Sequence, residues 1–497
     1  MDGETPPPPP GPAPAISPWR ALAAWPPNRR VALLNRGEGA DPLPRWTLLT
    51  EPESPATLPA RDAAPSEQDA QEVKAWLAAH LSEMPAAGIS PIPDRPASPW
   101  ATGTVALLAY ELGARLEPAA ASSRTVGGAL HPDAARGDAP RWDAWIARAR
   151  WSLVFDHHAR RWHRAGPVPH WADAVLSGED GDDGPAAGRL APLRPVASDE
   201  RFEAMVRRCV ELVHAGDLFQ ANLSRAFTSV LEGDPRHLAA TALADGARFG
   251  AYVESAPDEA VLSLSPELLV AVEAGGLVQS CPIKGTRPAN ADLAAFAADA
   301  KDAAELAMIV DLMRNDLGRI CRLGSIRVVE GRRFERHPTI VHGVAEIEGR
   351  LREDVSALDL LAAVFPAGSI SGAPKIRAMQ VIEDLEGERR GIYCGSVGWF
   401  DRSGDAVLNV GIRTASLRRA SVGDRWEVRY RAGCGIVADS DPVAESRESR
   451  DKTAVLARHA RGVTPPDDAP SPPAVAAARR SPRRPDGSPD ERARRPR

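Results

Sequence analysis

The chain has 497 residues, of which 43% are hydrophobic and 26% charged, a composition typical of a soluble globular protein. Its formal net charge of −6 provides no basic field for a phosphate backbone, which argues against general nucleic-acid binding. No stretch approaches the roughly 18 apolar residues needed to cross a bilayer, and the acidic, proline-rich start lacks the pattern of a secretory signal. The five cysteines form no C-x-x-C pair, so we expect buried free thiols and a cytoplasmic location.

Composition divides the chain into five segments. A proline run predicts a disordered N-terminus at residues 1–15, and a proline- and arginine-rich tail predicts disorder at 461–497, because neither segment has enough apolar surface to bury. An acidic, glycine-rich stretch predicts an exposed linker at 177–195. The linker separates an N-terminal region at 16–176 from a C-terminal region at 196–460, in which most of the distinctive motifs lie.

Strands and one helix are predicted in the N-terminal region. Residues 46–50 predict a strand that Pro52 closes. The apolar run at 104–116, preceded by Gly103, predicts a helix. Residues 144–156 predict either a pair of strands or one long strand.

The C-terminal region mixes helices with strands. Apolar residues at helical spacing predict a helix at 202–215, which Gly216 stops, and a second long helix at 301–320. Residues 261–264 and 407–412 predict strands. A mixture of this kind in a chain of this length implies an α/β or α+β core of enzyme size.

Three short motifs in the C-terminal region suggest chemistry. Lys284 lies between a strand that begins with proline and a Gly-Thr turn, where it is either a surface charge or, if desolvated, a nucleophile. A glycine-rich turn at 365–375 opens a helix but lacks phosphate-loop spacing, which leaves a carboxylate as a suitable ligand. A second glycine turn, predicted at 432–437, either presents backbone N–H groups to an anion or forms a strand bulge.

Acidic residues occur as two pairs at i, i+3 spacing, which places both carboxylates of a pair on one helix face. The pairs are Asp302 with Glu305 and Glu445 with Glu448. Taken alone, each pair is more typical of a solvated helix face. Two facing pairs would suit Mg²⁺, which binds a few carboxylates and completes its shell with water and substrate oxygens.

Together these strings resemble the chorismate-utilising enzymes, the family of the anthranilate, aminodeoxychorismate, isochorismate and salicylate synthases. The matching strings occur in family order at 265–267, 282–286, 308–319, 342–344, 365–375, 391–395, 411–414 and 433–451. The N-terminal region matches more loosely, at 45–52 and 110–113. The resemblance implies an α/β (α+β) fold with two packed β-sheets flanked by helices, in which 196–460 is the chorismate-binding catalytic domain.

Two positions distinguish the reactions within this family. Members that add water at C2 use a lysine base where this chain has Gln220, and glutamine cannot deprotonate water. Lys284 stands where anthranilate synthases usually have alanine and resembles the aminodeoxychorismate synthases. The resemblance therefore implies component I of an aminodeoxychorismate synthase acting in p-aminobenzoate and folate synthesis. The alternatives are anthranilate synthase component I and an inactive regulatory paralogue.

The resemblance also assigns roles position by position. Lys284 is the expected nucleophile at C2, and Glu267 the expected general acid/base near the leaving hydroxyl. The expected cofactor is Mg²⁺, with Glu305, Glu448 and Glu445 as its ligands. The expected substrate site comprises Gln220, Gly285, Thr286, His342, Tyr393, Arg413, Gly433, Cys434 and Gly435. A separate glutamine amidotransferase subunit is the expected source of ammonia.

Overall fold

The computed structural model describes residues 15–37, 44–61, 64–81, 102–121, 141–177, 188–273, 275–337, 340–421 and 423–459. All of them lie in the first of the two units into which the chain divides, Met1–Pro466; the second unit is Asp467–Arg497. Apart from Ala15, the segments predicted to be disordered at the two ends lie outside the described residues.

The described residues form the following helices and strands. The strands are β1 (Ala32–Gly37), β2 (Pro44–Thr50), β3 (Glu53–Pro59), β4 (Gly103–Leu108), β5 (Trp142–Ala149), β6 (Ser152–Asp156), β7 (Arg161–Ala165), β8 (Arg189–Leu190), β9 (Arg194–Pro195), β10 (Gln220–Glu232), β11 (Ala251–Ala256), β12 (Glu259–Ser263), β13 (Leu268–Glu273), β14 (Leu277–Cys281), β15 (Ile283–Pro288), β16 (Arg327–Arg336), β17 (Ile340–Arg350), β18 (Gly372–Ala373), β19 (Ser396–Asp401), β20 (Ala406–Asn409), β21 (Thr414–Arg419) and β22 (Arg425–Ile436). The helices are α1 (Pro18–Ala23), α2 (Glu67–Leu81), α3 (Leu112–Leu116), α4 (His170–Ser177), α5 (Asp199–His214), α6 (Pro235–Ala244), α7 (Leu293–Ala297), α8 (Ala300–Gly318), α9 (Ala357–Val364), α10 (Gly368–Ser371), α11 (Lys375–Glu386), α12 (Pro442–Asp451) and α13 (Ala454–Ala457).

The strands assemble into two antiparallel sheets. The first sheet has the order β18-β10-β22-β21-β12-β11-β1-β2-β6-β7, with β8 and β9 also paired to β10. The second has the order β15-β17-β14-β13-β20-β19-β4-β5-β3, with β16 also paired to β17. Both sheets combine strands from the two predicted regions, because β1 pairs with β11 and β4 pairs with β19. The last part of the predicted linker also joins a sheet, as β8 and β9.

Alternation along the strands gives each sheet two apolar faces. Leu34 and Leu48 of the first sheet share one buried cluster with Val105 and Trp399 of the second. The intervening residues of the first sheet, such as Leu33, pack in another cluster with α1 and α6. Helices α2, α8, α9 and α11 contribute to a third cluster, which includes residues of β4 and β10. The expected fold of two packed sheets flanked by helices is confirmed.

The predicted helix at 104–116 is wrong over its first half. Gly103–Leu108 is strand β4, in which all six residues are buried. This strand pairs with β5 on one side and with β19 on the other. A strand buried on both faces has a continuous apolar sequence, which periodicity alone does not distinguish from a buried helix. Only Leu112–Leu116 is helical.

Two other local predictions need correction. Residues 144–156 do form two strands, but β5 and β6 lie in different sheets and do not pair with each other. The glycine turn predicted at 432–437 is the end of strand β22. This strand pairs with β10 without a bulge, and the pair Ala221 and Ile436 is the last of the register. Glycine is needed there because a Cβ on Gly433 would lie 2.1 Å from the carbonyl oxygen of Leu223.

The remaining local predictions are confirmed. Helices α5 and α8 and strands β2 and β12 occupy the predicted segments, and β20 is a shorter form of the strand predicted at 407–412. The glycine-rich turn at 365–375 leads into α11, and the five cysteines are free and buried. In the part of the chain that the structure describes, no helix is long and apolar enough to span a membrane.

Candidate active site

Lys284 lies on β15, and its amine points toward helix α8. The side chain is 14% exposed, and its Nζ lies 3.8 Å from Oε2 of Glu305. Burial lowers the pKa of Lys284 below its ordinary value, although the charge of Glu305 acts in the opposite direction. The interpretation of Lys284 as a surface lysine is therefore wrong, because the side chain is desolvated and near one carboxylate.

Gln220 begins strand β10 and is completely buried. Neither amide atom has a hydrogen-bond partner among the described residues. A Cβ on Gly435 would lie 2.8 Å from Gln220 Nε2 and 3.2 Å from Lys284 Nζ, so this glycine keeps open a space that the amide and the amine share. An unpaired buried amide is costly, which makes this space suitable for a polar ligand.

Glu267 directly precedes β13 and is 4% exposed. The Ser369 hydroxyl, on helix α10, donates a 2.6 Å hydrogen bond to Oε1 of Glu267. Burial raises the pKa of Glu267 to about 7, despite the opposing effects of Ser369 and Lys284. Near neutral pH this carboxyl group can therefore both donate and accept a proton, as a general acid/base requires.

His342 lies between Thr286 and Arg413. Its Nδ1 is 2.9 Å from the Thr286 hydroxyl, and its Nε2 is 3.1 Å from Nη2 of Arg413. Because a guanidinium only donates hydrogen bonds, Nε2 is the acceptor and Nδ1 carries the proton. Burial and the charge of Arg413 keep the pKa of His342 well below its ordinary value, so the ring is neutral. The neutral ring thus orients a cationic side chain suited to carboxylates.

Tyr393 connects to this site through strand β10. The Asn222 side chain is near enough to Tyr393 to act on its pKa, and Asn222 is the cross-strand partner of Gly435. The guanidinium of Arg390 lies 5.8 Å from the centre of the Tyr393 ring. Tyr393 therefore lies near strand β10, which pairs with 433–435, and its place in the substrate site stays a prediction.

Cys434, Glu445 and Glu448 form a cluster, in which their ligand atoms lie within 4.8 Å of one another. Burial raises the pKa of the Cys434 thiol well above its ordinary value, which leaves the neutral thiol a weak ligand. The two carboxylates are oxygen donors of the kind Mg²⁺ prefers, so the donor set fits this ion. Glu305 is not part of this cluster and approaches the site from α8.

Several predicted residues meet around the Lys284 amine. The amide of Gln220 shares the open space with this amine. The charges of three carboxylates act on the pKa of Lys284, those of Glu305, Glu267 and Glu448. Gly285 follows the lysine with a φ of +80°, a conformation that glycine adopts readily.

Sequence reasoning missed some of the polar groups that support these residues. Ser369 lies inside the glycine-rich string at 365–375, but its bond to Glu267 depends on a long-range contact. Lys452 Nζ lies 2.7 Å from Oε1 of Glu448 and donates to the carbonyl oxygen of Gly433. The i, i+4 spacing of Glu448 and Lys452 was a signal that could have identified this pair.

Comparisons with known proteins identify relatives of this chain. The family model described as chorismate binding enzyme matches residues 54–458. Aminodeoxychorismate synthase component 1 of Salmonella typhimurium is 33% identical over 467 residues, covering 88% of this chain and 95% of that protein. Anthranilate synthase component 1 of Aquifex aeolicus is 40% identical over 267 residues, covering 52% of each chain. The crystal structure of anthranilate synthase component I from Streptococcus pneumoniae TIGR4 superposes with a TM-score of 0.66 at 25% identity, covering 87% of this chain and 93% of that one.

Proposed function

The chain belongs to the chorismate-binding enzymes, and from this premise we propose that it is component 1 of an aminodeoxychorismate synthase. Its substrates are chorismate and ammonia, and its product is 4-amino-4-deoxychorismate, a precursor of p-aminobenzoate. The observation that carries the proposal is the buried Lys284 amine facing the same open space as the unpaired amide of Gln220. The amine supplies a nucleophile, and the amide at that position is no base for activating water.

The reaction begins when the neutral Lys284 amine attacks C2 of chorismate. As the N–C2 bond forms, the ring double bonds C1=C2 and C5=C6 shift to C1=C6 and C4=C5, which breaks the C4–O bond. Glu267 protonates the departing hydroxyl, which leaves as water. The Glu267 carboxylate then accepts a proton from the lysine nitrogen. Its pKa of about 7 suits both transfers.

Ammonia completes the reaction by attacking C4. Both ring double bonds return to their original places, the C2–N bond breaks, and Glu267 returns the proton to the departing lysine amine. The Glu267 carboxylate then takes a proton from the new ammonium group at C4, which restores the acid for the next turnover. The lysine is thereby regenerated, and the overall exchange replaces one hydroxyl with one amino group. Ser369 holds the Glu267 carboxyl in place throughout, through its 2.6 Å hydrogen bond.

Charged groups around the open space hold the substrate. Arg413, oriented by neutral His342, is suited to a substrate carboxylate. Tyr393 and the backbone of 433–435 are the further substrate contacts in this proposal. Glu305, Glu445 and Glu448 would hold Mg²⁺. A bound Mg²⁺ supplies charge neutralisation for a carboxylate of the substrate.

Ammonia is proposed to come from a separate glutamine amidotransferase subunit. The relatives that match most of the chain are named as component 1 of aminodeoxychorismate synthase, and a first component implies a second. Free ammonium at high concentration should replace this partner, because the amination step itself needs only ammonia.

Anthranilate synthase component 1 is the second candidate, since relatives of that name reach 40% identity. They match only about half of the chain, whereas the aminodeoxychorismate synthase relative matches nearly all of it. The two candidates predict different products from the same substrates.

Product identification distinguishes the candidates. The full chain is incubated with chorismate, Mg²⁺ and ammonium. The products are separated by chromatography and identified by mass spectrometry. We expect 4-amino-4-deoxychorismate, which an added lyase converts to p-aminobenzoate, and no aminated product without ammonium or with excess EDTA. Anthranilate as the main product would support the second candidate, and isochorismate would contradict the argument from Gln220.

A further inference from the structure

Helix α12 carries Glu445 and Glu448 but lacks an apolar face to dock it. Of its ten residues, Ser446 and Ser449 are the two that are buried. A helix at a protein surface ordinarily packs through an apolar stripe, and buried hydroxyl groups need hydrogen-bond partners. The two serines are therefore the buried contacts of α12, beside exposed contacts such as the hydrogen bonds that Arg450 donates to Asp199.

Both serines contact Arg225, a residue of β10 that the proposed reaction does not use. The Arg225 side chain is 1% exposed. Its Nη2 donates to the Ser449 hydroxyl at 2.8 Å and to the Ser446 carbonyl oxygen at 2.8 Å. Its Nε also donates to the Ser449 hydroxyl, at 3.1 Å. One buried guanidinium thus satisfies the buried side of the helix.

The charge of Arg225 is balanced by Asp199, at the start of helix α5. Arg225 Nη1 donates to Oδ1 of Asp199 at 2.6 Å, and the Ser446 hydroxyl donates to the same oxygen at 2.9 Å. The rings of Phe202 and Phe227 lie 4.9 Å and 5.5 Å from the guanidinium carbon. Arg225 therefore joins β10, α5 and α12 at a single point.

The spacing along α12 links this contact to the acidic residues. Ser446 directly follows Glu445, and Ser449 directly follows Glu448. Successive residues of an α-helix are separated by about 100° around its axis, so fixing the two serines also fixes the directions of the two carboxylates. A rotation of α12 would carry both carboxylates away from Cys434 and from the site.

We propose that Arg225 is a positioning residue that sets the rotation of α12 and thereby places Glu445 and Glu448 to bind a divalent cation. Arg225 acts through the two serines and touches neither substrate nor cation. The inference rests on the proposed function for the presence of that cation. It adds the residue that aligns the two carboxylate ligands.

The test measures cation binding directly, with Mn²⁺ as the probe and electron paramagnetic resonance as the readout. The full chain is compared with Arg225→Lys, which keeps the charge but loses the planar fork, and with Ser449→Ala. We expect each variant to bind Mn²⁺ about tenfold more weakly, as is typical when an outer partner of a metal ligand is removed. Arg236→Lys is the matched control, because Arg236 is also buried and pairs with Glu254 at 2.6 Å, but lies away from α12.

Hydrogen exchange of the backbone amides at 442–451 provides a second readout that needs no cation. We expect faster exchange there in Arg225→Lys and Ser449→Ala, and unchanged exchange in the control. Circular dichroism identifies variants that remain folded. Unchanged exchange in α12, Mn²⁺ affinities within twofold of the parent in folded variants, or an equal loss in Arg236→Lys would overturn the proposal.

The outcomes separate this inference from the proposed function. A parent chain that binds no Mn²⁺ would overturn the inference, whatever product it makes. A parent chain that makes anthranilate, but in which Arg225→Lys and Ser449→Ala lose Mn²⁺ affinity and protection of α12, would contradict the proposed function and support the inference.

Discussion

A lysine can attack carbon only through its neutral amine, and at neutral pH an ordinary lysine is almost entirely charged. Lys284 differs because burial lowers its pKa, while Glu305 at 3.8 Å limits the effect. Glu267 adds a nearby group that can take the proton when the amine reacts. In the proposed reaction, the reactivity of Lys284 therefore depends on three side chains from separate elements.

Substitution of Lys284 tests this reactivity. Lys284→Ala should remove the proposed nucleophile and leave the fold and the neighbouring acids in place. Formation of 4-amino-4-deoxychorismate should fall at least a hundredfold, because a catalytic proton-transfer group or nucleophile contributes roughly that factor to the rate. Parent enzyme quenched with chorismate should carry an adduct on the peptide that contains Lys284, detected by mass spectrometry. Lys301→Ala, at an exposed position of α8, is the control and should keep full activity. An alanine variant at the parent rate without any adduct in the parent would show that Lys284 serves only as a charge.

The hydrogen bond between Ser369 and Glu267 predicts a shift in the pH profile. The proposed reaction needs protonated Glu267, so kcat/KM should fall as pH rises above about 7. The Ser369 hydroxyl stabilises the carboxylate, and Ser369→Ala should therefore raise the pKa of Glu267. The falling limb should move to higher pH by roughly one unit, about the effect of one hydrogen bond to a charged group.

Ser371→Ala is the matched control for this measurement. Ser371 is buried in the same short helix, but its hydroxyl bonds to the carbonyl oxygen of Ala367 and not to Glu267. Its pH profile should keep the parent midpoint even if the total activity drops. A limb that stays in place in Ser369→Ala, or moves toward acid, would exclude Glu267 as the titrating acid.

At the scale of single elements, the sequence predicts amphipathic helices such as α5 and strands such as β2 and β12. It does not predict the fully buried strand β4. Helix α5 shows apolar spacing and begins at Asp199, directly after Ser198, whose side chain caps it. Strand β4 has six buried residues in succession, so it lacks the alternation that identifies a half-buried strand. The error at 104–116 therefore reflects burial on both faces, which only the assembled sheet reveals.

The residues of the candidate site also differ in whether the sequence predicts them. Residues inside a contiguous string, such as Lys284 and Gly285, could be predicted together because the family resemblance covers the string. Ser369 and Arg225 act across more than a hundred residues of sequence, on Glu267 and on α12 respectively. Contacts of that kind are set by tertiary packing, and neither composition nor spacing indicates them.

Alanine substitutions at two glycines, Gly387 and Gly285, test how local backbone geometry contributes to stability and to function. Gly387 ends helix α11 with a φ of +64°, and an added Cβ would meet no atom within 4 Å. Gly387→Ala should cost about 1 kcal/mol of unfolding free energy, from the left-handed backbone alone, and leave turnover unchanged. Urea denaturation and the ammonia-dependent assay measure the two effects.

Gly285→Ala should cost more, because steric contact adds to the backbone strain. Its Cβ would lie 2.8 Å from Oδ2 of Asp302 and 2.9 Å from Cε2 of Phe296. The neighbours must shift, and Lys284 moves with them, so turnover should fall together with stability. Equal losses of stability in the two variants, with full turnover in both, would contradict the argument.

At the scale of the whole molecule, the order of strands was beyond prediction from sequence. Strands β5 and β6 are separated by two residues in sequence but belong to different sheets. Strand β1 lies beside β11, more than two hundred residues later. These pairings depend on which apolar faces match once the sheets form, and local propensity does not specify them. The resemblance to a family supplied the sheet architecture that local patterns did not.

The sheet topology predicts that residues 188–459 cannot fold without the N-terminal region. A fragment of residues 188–459 would leave β11 without β1 and β19 without β4, and so expose two strands that are interior in the sheets. It would also remove Leu34, Val105 and Trp145 from the cluster shared by both sheets. Unpaired edges and exposed apolar faces promote aggregation. We expect this fragment to be insoluble or to lack a cooperative thermal transition.

Complementation distinguishes a missing partner region from a damaged chain. Co-expression of 1–187 with 188–459 should restore a soluble complex with ammonia-dependent turnover, because strand pairing and apolar packing join the two pieces without a covalent link. A protease site inserted within the acidic stretch at 178–187 provides the control, since a chain cut there after folding should stay assembled and active. Thermal scanning and gel filtration report the assembly. A fragment of 188–459 that alone unfolds cooperatively and makes product would show that the interleaved strands of the N-terminal region are dispensable for the active fold.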